Sequence, residues 1–91
     1  MPKTSQQIIS LILSRHNLTS DVVISRNQTA AVSNCRALLY ASLLRYSELS
    51  LEGVMAMFGR SQKSVSEQVN RILKTFEWKE VKELIKQLPD C

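Results

Sequence analysis

Along most of the chain, apolar residues recur at steps of three and four, the spacing that turns one face of an α-helix inward. Ile8, Ile9, Leu11 and Ile12 open the pattern, and Leu13 widens the apolar face. Thr4, with Gln7 three residues later, reads as a capping box, so a first helix is expected to begin near Thr4 and to end at His16-Asn17-Leu18. Val22, Val23 and Ile24 predict a short second helix capped by Thr19 or Ser20. A polar connector, Ser25-Arg26-Asn27-Gln28, follows. The third helix is expected over roughly 29–46, with Val32, Cys35, Leu38, Leu39, Ser42, Leu43 and Tyr46 as its buried stripe. That stripe leaves Arg36 and Arg45 outside it.

From residue 50 the punctuation changes. Ser50 is a plausible N-cap for a fourth helix whose Leu51, Val54, Met55 and Phe58 face inward. Gly59 can take the left-handed conformation that ends it. A fifth helix starts at Ser61, or at Ser64 if Ser64 and Glu67 form the capping box. Val65, Val69, Ile72, Leu73 and Phe76 make its inward face. Two helices joined across Phe58-Gly59-Arg60 read as a helix-turn-helix. In such motifs the second helix enters the major groove and offers its first residues to base edges. Those residues here are Ser61, Gln62, Lys63, Ser64 and Ser66, all polar. In the last segment Trp78 is expected to pack the helix onto the body, with Val81, Leu84, Ile85 and Leu88 inward. Lys79, Glu80, Lys82, Glu83 and Lys86 form its outer face, and Pro89 stops it. The expected architecture is all-α, with five to six helices in a single domain over 1–91. The helix-turn-helix occupies about 50–76 and an amphipathic C-terminal helix about 77–88.

Composition narrows the reading. Ninety-one residues support one compact core. Two Gly and two Pro are too few for the turns of an all-β chain. The net charge of +4 is unevenly spread. Residues 1–76 carry nine Lys and Arg against Asp21, Glu48, Glu52 and Glu67, a net of +5, whereas residues 77–91 carry three Lys against four acids, a net of −1. The basic excess sits with the helix-turn-helix, as a phosphate-facing surface requires. Cys35 is expected to be buried and Cys91 exposed, with no disulfide, which fits a cytoplasmic, nucleoid-associated protein. No run is long and apolar enough for a membrane span, and no signal peptide is evident.

Enzymatic chemistry finds little support. His16 is the single histidine, expected to be solvated at a helix end, and it cannot build a metal cluster with other histidines. The serines lack a histidine-acid pair to activate them, and two scattered glycines cannot cradle a phosphate. The chain is therefore expected to be no enzyme and to need no cofactor or metal. Arg60, Lys63 and Arg71 are candidates for phosphate contact, the first two beside a helix start whose backbone N–H groups favour anions. Gln62 can pair with adenine, and Ser64 or Ser66 with bases or phosphates. The other functional class is a protein-interaction module, with the C-terminal helix docking on another protein or forming a homodimer.

Two segments carry a resemblance. TSQQIISLILSRHNLTSDVVISRN looks like the opening helix, short second helix and basic linker of the C-terminal DNA-binding domain of DnaA, the bacterial replication initiator, in the Trp-repressor-like superfamily. CRALLYASLLRYSELSLEGVMAMFGR looks like that family's long helix, Ser-Leu entry and Phe-Gly-Arg turn. The resemblance covers about residues 4–76. It implies double-stranded DNA as partner, a regulatory role in transcription or replication, and minor-groove or backbone contacts from Arg26 and Arg36, with Arg36 ranked first. The chain also departs from the family. Its turn has one glycine instead of two, and Arg60-Ser61-Gln62-Lys63-Ser64-Val65 stands where the family has Arg-Asp-His-Thr-Thr-Val. The family's base-reading residues are replaced, so its own DNA box is not the expected target. Its ATPase module has no counterpart in these 91 residues.

Overall fold

The longest helix is also the hub. A computed structural model describes residues 4–24 and 29–88. It shows α1 (Ser5–His16), α2 (Ser20–Ile24), α3 (Ala30–Tyr46), α4 (Leu51–Phe58), α5 (Gln62–Ile72) and α6 (Phe76–Lys86), with no strand among the described residues. Each of the other five helices packs against α3. Surrounded in this way, α3 is buried not on one stripe but at every position from Cys35 through Leu43, Arg36 included. The radius of gyration, 11.9 Å, is that of one folded body, for which size scaling gives about 12 Å.

Local chemistry sets the helix ends. The Thr4 hydroxyl accepts from the Gln7 N–H at 3.3 Å and the Gln7 side chain accepts from the Thr4 N–H at 3.2 Å, closing the capping box. Asn17 adopts the left-handed conformation (φ 54°) that ends α1. The Ser50 hydroxyl accepts from Gly53 N–H at 3.2 Å, and Gly59 (φ 64°) ends α4. Of the two possible starts for α5, Ser61 is the N-cap, its hydroxyl accepting from Ser64 N–H at 3.2 Å.

Three expectations are corrected. The fifth helix does not continue to residue 76: it ends at Ile72, because the Thr75 hydroxyl donates to Ile72 O at 2.7 Å and accepts from Trp78 N–H at 3.3 Å. One side chain thereby closes α5 and opens α6. Phe76 is consequently not an inward residue of α5 but the first residue of α6, and is 73% exposed. His16 is not solvated. It is half-buried, with Nδ1 2.9 Å from Ile12 O and Nε2 2.9 Å from Glu77 Oε2.

Aromatic contacts fasten the outer helices to the hub. Tyr40 meets Phe58 edge-on, ring centroids 4.9 Å apart at 89°, joining α3 to α4. Trp78, buried as expected, lies 6.3 Å from Tyr46 and joins α6 to α3. Arg15 also donates to Glu80 at 3.0 Å, so α1 holds two carboxylates of α6.

Candidate nucleic-acid interface

The N-terminal end of α5 is built on an apolar anchor. Val65 and Ile72 are fully buried, and Val69 and Leu73 pack partly against the same core. At 3.6 residues per turn, the opposite side of the helix carries Lys63, Glu67, Asn70 and Arg71, all exposed. Lys74, in the turn that follows, is exposed too. Ser61, Gln62 and Lys63 stand open at the helix start, while Ser64 and Ser66 are half-buried. The opening N–H groups of α5 point along the helix axis toward this end, and the helix dipole adds a partial positive charge there.

The remaining sequence candidates are placed differently. Arg26 lies outside the described residues. Arg36, expected off the buried stripe, is 7% exposed and its Nε donates to Val23 O at 2.9 Å. It braces α2 against α3, covering a carbonyl that a five-residue helix leaves without an intrahelical partner. Arg71 is exposed, yet its guanidinium is occupied: NH1 donates to Asn34 Oδ1 at 2.9 Å and NH2 to Gln68 Oε1 at 2.7 Å. It thus ties α5 to the first turns of α3. Arg60 is half-buried in the connector between α4 and α5, near enough to Tyr40 and Arg36 for its charge to influence both.

Electrostatics follow from this packing. Burial lowers the affinity of the Arg36 guanidinium for its proton, and the nearby Arg60 charge pushes the same way, while Tyr40 opposes both. Burial raises the pKa of the Tyr40 phenol, against the pull of the Arg36 and Arg60 charges. Cys35 is pushed up to about 11, first by burial and then by the charge of Glu77, and it is an inert core thiol. Among the described residues no three His, Cys, Asp or Glu side chains come together as a metal site. No helix among them is long and apolar enough to cross a membrane.

The sequence reading placed Lys63, Asn70, Arg71 and Lys74 on the outward side of α5 but missed one member of this surface. Glu67 puts a carboxylate between Lys63 and Arg71 on the exposed side of α5, four residues from each. Its pairing with Ser64 as a capping box concealed that placement. Comparison with family models, curated proteins and solved structures finds no match to this chain.

Proposed function

We propose that the chain binds double-stranded DNA, using α4 and α5 as a helix-turn-helix with the start of α5 in the major groove, and that it regulates transcription or replication without catalysing a reaction. The carrying observation is the pairing of an open polar end, Ser61, Gln62 and Lys63, with a buried Val65 and Ile72 anchor. Such a helix is rigid in its own body yet presents donors and acceptors outward, as base readout demands. In this reading Lys63, Lys74 and Arg60 neutralise phosphates, and Gln62, Ser64 and Ser66 face the groove. Arg36 acts as a brace. The resemblance to the DnaA C-terminal domain supports the mode of docking, and the altered segment 61–63 implies a different target sequence.

The test is fluorescence anisotropy of the full chain on a random duplex pool at several salt concentrations. Three phosphate contacts predict about a 40-fold loss of affinity between 50 and 200 mM salt, from a slope near −0.9 per contact. Lys63→Ala should weaken all duplexes alike and flatten that slope, whereas Gln62→Ala should change sequence preference. No duplex retained at low salt refutes the proposal. One observation favours a protein-interaction module instead: Phe76 stands 73% exposed at the head of α6. If Phe76→Ser abolishes self-association or partner capture while DNA retention is absent, that second reading replaces the first.

A further inference from the structure

Resting on the DNA-binding reading, we infer that Glu67 is a specificity-determining residue: its carboxylate selects a cytosine in the major groove and penalises other bases at that position. Glu67 is exposed in the middle of α5, on the side opposite the buried Val65 and Ile72. A cation stands one turn away in each direction, Lys63 before it and Arg71 after it. Neighbours of opposite charge at that spacing ordinarily pair on a helix. Here neither does. The Arg71 guanidinium is turned to Gln68 Oε1, at 2.7 Å from NH2 and 3.3 Å from Nε, and to Asn34 Oδ1, at 2.9 Å from NH1. The Asn34 bond runs from α5 to α3, so the packing of the two helices withholds Arg71 from Glu67. The ion pairs among the described residues join α1 to α6 or lie within α6, and Glu67 takes part in none of them.

An unpaired carboxylate on the side proposed to face DNA is repelled by every phosphate, whatever the sequence. That cost is offset only where the groove supplies a hydrogen-bond donor. Cytosine supplies one in its N4 amino group, from which a glutamate can accept. Adenine's N6 donor lies beside the N7 acceptor, whose lone pair opposes a carboxylate, and guanine and thymine present acceptors there. Glu67 lies five residues beyond Gln62, about 7.5 Å along the helix axis, within the stretch of α5 that enters the groove in this reading. The residue thus acts by raising the cost of wrong sequences as much as by favouring the right one.

The experiment is selection of bound sequences from a random duplex pool by the full chain, run in parallel for the parent, Glu67→Ala and Glu67→Gln, with circular dichroism confirming each fold. The parent is expected to enrich one C·G pair that Glu67→Ala does not. Glu67→Gln should replace it with A·T, because glutamine pairs with adenine N6 and N7. A cycle then tests the contact directly. Exchanging the enriched C·G pair for T·A sets an acceptor in place of the amino group. The exchange should weaken the parent about tenfold and Glu67→Ala less than about twofold. No cytosine in the parent's sites, the same cytosine enriched by Glu67→Ala, or equal cost of the exchange in both proteins overturns the inference. So does uniform tightening by both variants with the recovered sequences unchanged, which marks Glu67 as a repelling surface charge only. In each of those cases the duplexes held by the parent leave the DNA-binding reading standing. If the parent retains no duplex at low salt, both fall.

Discussion

Replacing Arg36 by Met separates a core brace from a DNA contact. The proposed likeness to the DnaA domain would rank this arginine first among contacts to DNA, but the structure encloses it, with 7% of its surface exposed and Nε 2.9 Å from Val23 O. Met preserves much of the length and apolar stem of the side chain, so little cavity forms. What is lost is a hydrogen bond from a charged donor, about 1.5–3 kcal/mol, and a carbonyl at the end of α2 is left without that donor. Against this stands the relief of no longer burying a guanidinium. The net expectation is a loss of about 1–2 kcal/mol. At about 4–8 °C per kcal/mol for a domain of this size, the melting temperature should fall by about 5–15 °C. The assay is thermal and urea denaturation followed by circular dichroism, with duplex affinity then measured at low temperature, where the variant is folded. Affinity of the folded variant and its salt slope should match the parent. An unchanged melting temperature with a salt slope about one contact shallower would place Arg36 on the phosphates and refute the brace.

Other outcomes follow from single positions. Ser42 is completely buried in α3 and its hydroxyl has no hydrogen-bond partner among the described residues, so Ser42→Ala should stabilise the fold by about 1 kcal/mol in urea titration. Gly59→Ala meets no steric neighbour but must adopt φ 64°, which costs about 1–2 kcal/mol, and Gly59→Asn should cost less by the same measurement. Its own backbone N–H, followed by the side chain and N–H of Ser5, holds the Glu48 carboxyl below its usual 4.5. Because the folded pKa is the lower one, this stabilisation is present above the unfolded value and is lost as pH falls through the folded one. The melting temperature of Glu48→Gln should thus depend less on pH than the parent's below about pH 4.5. Glu67→Gln removes a carboxylate from the proposed DNA-facing side of α5 and should tighten duplex binding several-fold at low salt, with thermal stability measured in parallel to exclude a folding effect.

The helices with strong end signals were legible from the chain itself. Thr4 and Gln7, Asn17, Ser50 and Gly59 announce their roles through side-chain chemistry acting within a few residues, and the structure uses each of them so. The break between α5 and α6 was harder to read. Val69, Ile72 and Phe76 continue a helical spacing across it, and only the two bonds of Thr75 interrupt the run. A Thr three residues before Trp78, with Glu77 in the intervening turn, was the available signal. The fates of Arg36, Arg71 and His16 were not legible, because each is decided by a residue distant in sequence: Val23, Asn34 and Glu77. Periodicity reports which way a side chain points on its own helix and is silent on which helix it meets. For α3 even the direction misleads, since five neighbours leave that helix without an outward face through its middle.

The partition of charge gains its meaning from those distant contacts. An acidic C-terminal segment on a basic body could lie over the cationic end of α5 and compete with a polyanion for it. The structure directs it elsewhere. Glu77 meets His16 at 2.9 Å and Glu80 meets Arg15 at 3.0 Å, both on α1, and Glu83 pairs with Lys86 within α6 itself. Among the described residues all three acidic side chains after residue 76 are thus engaged, and Ser61, Gln62 and Lys63 remain exposed. The exposed Arg15–Glu80 and Lys86–Glu83 pairs add little to stability, about 0–1 kcal/mol each. Their consequence is positional: Glu77 and Glu80 are directed to α1 and Glu83 to Lys86, away from the start of α5. Arg71, tied to Asn34 and Gln68, anchors α5 to α3, and Lys63 and Lys74 are the exposed cations on the side where the proposed phosphate backbone would lie.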